Sequence, residues 1–171
     1  GGMITTNNKE LADKARLYRN HGGDGRNFTY NSSNYRMTEL NAAIGLSQLE
    51  ELPYFIKARN TIANNYMEGL KNVKHITLLP TYDHIKNSYW NFYFVLNKEF
   101  SREKFANYLL EKGIQTGDAY TPSCHQQKAF ENYIGDQDFS TIEDVLQRHV
   151  SLPMYVGMTT EDIDYIINTI T

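Results

Sequence analysis

Apolar and polar positions alternate along this chain with two different periods, and the period changes near residue 72. Before that point, apolar residues recur every three or four positions, which is the spacing of one face of an α-helix. After it, short segments of period two, typical of half-buried strands, alternate with further helical segments. The pattern predicts a mostly helical first part followed by a mixed α/β part.

The chain is expected to begin with a short strand followed by a helix. The strand covers Met3 to Thr6, and Asn7 with Glu10 forms a capping box for a helix over Lys9–Asn20. The inner face of this helix is expected to contain Leu11, Ala15 and Tyr18.

A second, much longer helix is predicted after a polar loop that covers residues 21–37. Thr38 is expected to cap it, and its apolar pattern continues to about residue 70. Pro53 lies inside the pattern, so a kink or a break into two helices is expected near Leu52.

Residues 73–171 are predicted to form a small unit in which helices cover one face of a largely antiparallel sheet. The predicted strands are Val73–Leu79, Tyr89–Leu96, Ile114–Tyr120 and Val150–Leu152. The predicted helices begin at Ser101, near Gln127, at Ser140 with Glu143 in a capping box, and at Thr159 with Asp162. The side chains expected to face the core are Trp90, Phe92, Phe94, Leu96, Phe105, Tyr108, Leu109, Ile163, Ile166, Ile167 and Ile170. We therefore expect three regions, at residues 1–37, 38–72 and 73–171.

Composition narrows the possible partners. The chain has 171 residues and a formal charge of −3, and its basic residues are dispersed, which argues against nucleic-acid binding. It contains no apolar run long enough for a membrane span and no recognisable signal peptide. The single cysteine, Cys124, fits a reducing compartment, so a cytoplasmic location is predicted.

Two kinds of catalytic or binding chemistry are not expected. No two of the five histidines have metal-ligand spacing and there is no second cysteine, so no metal site is predicted. Cys124 and His125 are adjacent, and in an extended segment their side chains would point to opposite sides, which disfavours a nucleophilic pair. Cys124 is instead expected to be a small, semi-buried apolar residue.

Two polar segments are candidates for anion binding. The run Gly22–Gly25 has the composition of a phosphate-binding loop, but it follows a helix rather than a strand, so a helix end with a flexible loop is favoured. Asn34, Tyr35 and Arg36 lie just before the N-terminus of the long helix, where a guanidinium and an amide can bind phosphate. An ordinary surface loop, in which Arg36 pairs with a local acid, explains these residues equally well.

Several motifs in one order resemble the DegT/DnrJ/EryC1/StrS family of PLP-dependent sugar aminotransferases. They are NYRMTELNAAIGLSQL at 34–49, RNHG at 19–22, GIQT at 113–116, HQQKAF at 125–130, and SLPMY at 151–155 followed by GMT at 157–159. The resemblance covers the whole chain, but only the C-terminal half or so of such an enzyme. It implies the C-terminal part of a fold-type I transferase, with a long linking helix and a small, mostly antiparallel sheet.

The resemblance also implies a cofactor, partners and site residues. The cofactor is pyridoxal 5′-phosphate (PLP), the substrates are a nucleotide-linked ketosugar and glutamate, and the active site is shared in a homodimer. Asn34 would donate to the PLP phosphate of the neighbouring subunit, and Tyr35 and Arg36 would lie at the same site. His125 would point at the sugar nucleotide and Tyr155 would lie near the entrance. A loop histidine and a packing tyrosine are the alternatives for these last two.

One departure from the family pattern concerns catalysis. The family's Schiff-base lysine lies upstream of Gly1, and none of the lysines in this chain matches its motif position, so the chain alone is expected to be inactive. The parent protein is expected to form amino sugars for polysaccharide or related biosynthesis. The alternatives are a dehydratase or a regulatory relative without the lysine, or a non-catalytic dimerisation module.

Overall fold

The computed structural model describes residues 2–171, so Gly1, upstream of which the Schiff-base lysine is expected, lies outside the described residues. The chain divides into two compact units, residues 1–52 and residues 53–171. The boundary falls inside one long helix, beside Pro53. The division into regions 1–37, 38–72 and 73–171 stays a prediction.

The first unit contains helix α1, Lys9–Arg19, which begins at a side-chain cap. The cap is Asn8 rather than the predicted Asn7, and its Oδ1 accepts a hydrogen bond from the main-chain N–H of Leu11 at 3.1 Å. The predicted strand over Met3–Thr6 is wrong. Its β-branched composition favours an extended chain, but no described segment pairs with it, and a strand requires such a partner.

Helix α2 covers Glu39–Leu70 and is continuous. Thr38 begins it as predicted, since its Oγ1 accepts from the main-chain N–H of Asn41 at 3.2 Å. The predicted break into two helices near Leu52 is wrong, whereas the other predicted possibility, a kink there, stays a prediction. A proline removes one N–H from the ladder, and the other hydrogen bonds of so long a helix keep the remaining turns together.

The second unit is built on a three-stranded antiparallel sheet, in the order β1, Ile76–Leu78; β2, Phe92–Leu96; and β3, His149–Leu152. The register places Ile76 opposite Leu96 and Phe94 opposite Val150. The third of the four strands predicted for residues 73–171, Ile114–Tyr120, is wrong. Within that segment only Gly117 pairs with β3, through an isolated bridge to Ser151. The other main-chain groups of the segment do not pair with β3, so no fourth strand forms in this segment.

Three helices accompany the sheet: α3, Arg102–Glu111; α4, Ser140–Arg148; and α5, Thr160–Ile170. Ser101 caps α3, and a reciprocal capping box of Thr159 and Asp162 begins α5, as predicted. The predicted capping box of Ser140 is wrong, since Ser140 is the first helical residue and its N–H donates to Asp138 at 2.9 Å. The helix predicted near Gln127 is replaced by two single 3₁₀ turns, Cys124–Gln126 and Lys128–Phe130.

One apolar core joins the sheet to the C-terminal half of α2, to α3 and to α5. Its buried members are Ile62, Ala63, Tyr66, Leu70, Ile76, Phe92, Phe94, Leu96, Leu109, Ile114, Val150, Leu152, Ile163, Ile166 and Ile170. Two residues predicted to face the core, Trp90 and Tyr108, are exposed, because Trp90 precedes β2 and Tyr108 lies on the outer side of α3. Cys124 is also exposed, contrary to the prediction. Within residues 2–171, no helix combines the length and the apolar character needed to cross a bilayer.

Candidate functional site

The end of α1 and the loop after it form a hydrogen-bonded turn rather than a phosphate cradle. The N–H of Gly22 donates to Leu17 at 2.8 Å and that of Gly23 donates to Asn20 at 3.2 Å, so both are occupied within the chain. Gly22 has φ of +82°, and a Cβ there would lie 1.9 Å from the Tyr30 carbonyl oxygen. The helix-end interpretation is therefore confirmed, because glycine alone permits this geometry.

The loop that follows contacts α1 through its side chains, and its flexibility stays a prediction. The Tyr30 ring stacks on Tyr18 with centroids 4.7 Å apart, and the Ser32 hydroxyl donates to the Tyr18 carbonyl at 2.8 Å. Asp24 accepts main-chain hydrogen bonds from Asn27 and Arg26, which lower the pKa of its carboxyl. The turn is therefore fixed at several points and supports the residues that follow it.

Asn34, Tyr35 and Arg36 follow this loop in an extended segment. The main-chain N–H of Tyr35 donates to the Arg19 carbonyl at 3.0 Å, and Asn34 bridges to Asn20. The Asn34 side-chain oxygen accepts from the N–H of Arg36 at 3.1 Å, which turns its NH₂ group outward. The end of α1 thus holds the segment while its side chains stay exposed.

Arg36 has no acidic partner within residues 2–171. Its guanidinium donates to the side-chain oxygen of Asn20, which is a neutral amide. The alternative of a surface loop in which Arg36 pairs with a local acid therefore lacks its acid. An exposed guanidinium with spare donors beside an outward amide fits the oxygens of a phosphate.

The three side chains do not share one side of the segment. Tyr35 lines a cavity of about 730 Å³ together with Met3, Ile4, Arg16 and Arg19, whereas Asn34 and Arg36 are not among its lining residues. This follows from the extended backbone, in which successive side chains alternate in direction. An anion bound by Asn34 and Arg36 would therefore meet a different surface from the one that Tyr35 faces.

In the second unit, His125 lies in a closed network. Its Nδ1 is 2.9 Å from the Ser123 hydroxyl, its Nε2 is 2.9 Å from Glu143 Oε1, and its ring stacks on Phe139 with centroids 4.2 Å apart. The order hydroxyl, imidazole, carboxylate is that of a nucleophilic triad, but Ser123 is only 4% exposed, so no substrate can reach it. The network joins the 3₁₀ turn Cys124–Gln126 to α4, and both ring nitrogens of His125 have a partner in it.

Tyr155 lines an open groove of about 580 Å³ in the same unit. The walls come from Asn91, from residues 113–117, from β3 and from α5, and Tyr155 is 54% exposed. His125 is not among the lining residues of this groove. A half-exposed phenol beside amide and main-chain groups can contact a polar ligand.

Sequence reasoning missed the side chains that hold this groove in shape. Tyr66, fully buried, donates its hydroxyl to the Pro153 carbonyl at 3.0 Å, and Arg59 donates to the Met154 carbonyl at 3.3 Å. Burial raises the pKa of the Tyr66 phenol well above its usual range, and the nearby Tyr155 and Asp162 add to the shift. The sequence did contain one signal of this role: Arg59 is a cation three residues before Ile62, and therefore lies close to the apolar face of the helix.

Comparison with known proteins agrees with this fold. The chain is 34% identical over 171 residues to the dTDP-3-amino-3,6-dideoxy-alpha-D-galactopyranose transaminase of Aneurinibacillus thermoaerophilus, covering 99% of this chain and 46% of that protein. It is 30% identical over 173 residues to the dTDP-4-amino-4,6-dideoxy-D-glucose transaminase of Shigella dysenteriae, covering 99% and 47%. The crystal structure of a protein described as a PLP-dependent aminotransferase from Bacillus cereus superimposes with a TM-score of 0.82 at 26% identity, covering 95% of this chain and 45% of that one.

The chain thus spans just under half the length of the relatives that it matches. Its long helix and three-stranded antiparallel sheet with helices correspond to the C-terminal region of fold-type I aminotransferases. The family match extends over residues 1–171, so this chain belongs to the DegT/DnrJ/EryC1/StrS aminotransferase family.

Proposed function

We propose that the protein of which this chain forms part is a PLP-dependent aminotransferase that moves an amino group from glutamate to a nucleotide-linked ketosugar. The family match over residues 1–171 carries this proposal. Two relatives are named as transaminases of dTDP-linked amino sugars, which supports a nucleotide sugar as the substrate. The product would enter polysaccharide or other amino-sugar biosynthesis in the cytoplasm.

Asn34 and Arg36 are proposed to bind the phosphate end of PLP in the neighbouring subunit or the substrate beside it. The outward amide of Asn34 supplies neutral donors, and Arg36 supplies a permanent positive charge without an acidic partner in the described chain. When bound, PLP supplies an electron sink for breaking bonds at the amino-bearing carbon. The contribution of this chain is to hold the anionic groups in place.

Tyr35, Tyr155 and His125 are proposed as substrate contacts. Tyr35 and Tyr155 are more than half exposed and each lines a cavity, so both can contact ligand directly. Because both ring nitrogens of His125 already have partners, we propose that it contacts the sugar nucleotide only when one of those hydrogen bonds is exchanged.

A homodimer with a shared active site is proposed from the exposed apolar side chains of the first unit. In the N-terminal half of α2, the side chains of Leu40, Ile44, Leu46, Leu49 and Leu52 are exposed. Several exposed large apolar residues gathered in one half of a helix are typical of a region that contacts other protein. We also propose that residues 1–37 complete the cofactor domain, that residues 38–72 link, and that residues 73–171 form a separate small domain.

The test is an assay of the full-length protein with PLP, glutamate and a panel of dTDP-, UDP- and GDP-linked 3- and 4-ketosugars. We expect 2-oxoglutarate and an amino sugar, measured by coupled absorbance and by mass spectrometry. The variant Asn34→Asp places a negative charge beside the proposed phosphate and should weaken PLP binding, whereas Asn7→Asp, an exposed change outside the site, should not. The isolated 171-residue chain should show no transfer.

Binding of PLP without transfer to any ketosugar would overturn the substrate class. Loss of water from the sugar without amine formation would favour the dehydratase alternative. Equal PLP affinity in Asn34→Asp and the unchanged protein would remove Asn34 from the cofactor site.

A further inference from the structure

Arg59 binds three main-chain carbonyls from two distant segments of the second unit. Its Nη1 lies 2.9 Å from the Trp90 oxygen, 3.1 Å from the Tyr89 oxygen and 3.3 Å from the Met154 oxygen. The side chain is half-buried, and within residues 2–171 no carboxylate forms an ion pair with it. Its protein partners are therefore carbonyl dipoles rather than acids.

The three carbonyl oxygens converge on one nitrogen of a cation. Oxygens that share one donor lie close together and repel each other, and an arginine keeps its charge at any accessible pH. One of them follows Tyr89, whose φ of +43° is uncommon for a residue with a side chain. Arg59 thus stabilises the close approach of these oxygens and of the two segments that carry them.

Neighbouring side chains of α2 hold the same two segments. Asn60 donates to the Asn87 carbonyl at 2.9 Å, and Tyr66 donates to the Pro153 carbonyl. The next residue after Met154 is Tyr155, and the next residue after Trp90 is Asn91. Both line the groove described above, so Arg59 binds the main chain immediately before two of the lining residues.

We propose that Arg59 is a positioning residue that sets the orientation of Tyr155 against Asn91 and thereby the affinity of the groove for the sugar substrate. The substrate part of this proposal rests on the proposed function, but the positioning part does not. Arg59 does not itself line the groove, so it acts through the main chain of Met154 and Trp90.

The positioning is tested by fluorine NMR with 3-fluorotyrosine incorporated only at Tyr155 of this chain. Arg59→Lys keeps the charge, but its single nitrogen is one bond closer to Cα than Nη1 and should not reach all three oxygens, so the variant should shift or broaden the resonance. Lys57→Ala removes an exposed cation two residues earlier on the same helix and should leave the resonance unchanged. An unchanged resonance in Arg59→Lys overturns the proposal.

The substrate part is tested with the full-length enzyme. In Arg59→Lys the KM for the ketosugar should rise about tenfold with kcat changed less than about twofold, because ground-state contacts are lost. In the Tyr155→Phe background the same substitution should have a smaller effect, since the two residues act on one contact. Additive effects, or a fall in kcat alone, overturn this part.

Failure of the proposed function remains distinguishable from failure of this inference. If the enzyme transfers no amine, the fluorine spectrum still decides whether Arg59 orients Tyr155. If Arg59→Lys does not fold, Arg59→Met, which keeps the apolar stem, is measured in the same way. If neither variant folds, Arg59 is required for folding alone and the positioning role is rejected.

Discussion

Replacing Tyr66 with phenylalanine removes one hydroxyl from the core and leaves the ring in place. The hydroxyl donates to the Pro153 carbonyl at 3.0 Å, the residue is fully buried, and its ring packs against Phe92 with centroids 5.0 Å apart. Loss of the hydrogen bond, which leaves the partly buried Pro153 carbonyl without its donor, should cost about 1–3 kcal/mol at neutral pH. For a chain of this size, each kcal/mol corresponds to roughly 2–4 °C in Tm.

The same substitution should change the pH dependence of stability. Burial raises the pKa of Tyr66 above that of a tyrosine in the unfolded chain. Below about pH 10 the folded and unfolded states both carry the proton, so the contribution of the phenol is fully present. Above it the unfolded chain loses its proton first, and stability falls by up to about 1.4 kcal/mol per pH unit until the folded state also ionises. Phenylalanine does not ionise, so the Tyr66→Phe variant does not lose this stability as the pH rises.

The difference in unfolding free energy between the unchanged chain and Tyr66→Phe should therefore shrink as the pH is raised from about 9 to about 11. Urea unfolding, followed by far-UV circular dichroism and by the fluorescence of the single tryptophan, Trp90, measures it. Tyr133→Phe, at an 82% exposed position, is the matched control and should give parallel curves. A difference for Tyr66→Phe that stays constant with pH would refute the reasoning.

Three further predictions concern backbone, core and cap. Gly22→Ala should cost well over about 2 kcal/mol of stability, because its Cβ would lie 1.9 Å from a carbonyl oxygen. Gly25→Ala should cost about 1–2 kcal/mol, because Gly25 has φ of +99° but open space where the Cβ would be. Urea unfolding compares the two variants. Phe94→Ala should cost about 3–5 kcal/mol in the same assay, since the side chain is fully buried. The main-chain N–H of Thr159 donates to Asp162 and lowers the pKa of its carboxyl. The carboxylate therefore contributes its full stabilisation of the folded chain above the ordinary carboxyl pKa, and this stabilisation is lost as the pH falls. Asp162→Asn should therefore lose less stability on acidification.

Elements that depend on neighbours in sequence could be predicted, and those that depend on distant partners could not. Helix α5 begins at Thr159 as expected because the capping box is complete within four residues. The segment Ile114–Tyr120 has strand composition, but whether it pairs depends on the path of β3, which is specified elsewhere in the chain. Ser140 is not the N-cap of α4, and its main-chain N–H donates instead to the side chain of Asp138, two residues earlier.

The candidate site shows the same limit. The position of Arg36 just before α2 was visible in the sequence, but its partner, the Asn20 amide, depends on how the loop returns to α1. Both partners of His125, the Ser123 hydroxyl and the Glu143 carboxylate, were likewise not predicted, although Ser123 is only two residues away. The role of Arg59 could not be predicted from the sequence, because its partners are main-chain carbonyls. Every residue has one, so the sequence does not indicate which of them Arg59 binds.

The sheet of the second unit also has a consequence for biosynthesis. β2 is the central strand, and its partner β3 is synthesised only after α3 and α4. Until His149–Leu152 leaves the ribosome, one edge of β2 carries unpaired N–H and C=O groups and its apolar face lacks α5. The nascent chain therefore exposes an aggregation-prone strand until β3 and α5 have been synthesised, and Ile163, Ile166 and Ile170 of α5 then close the core.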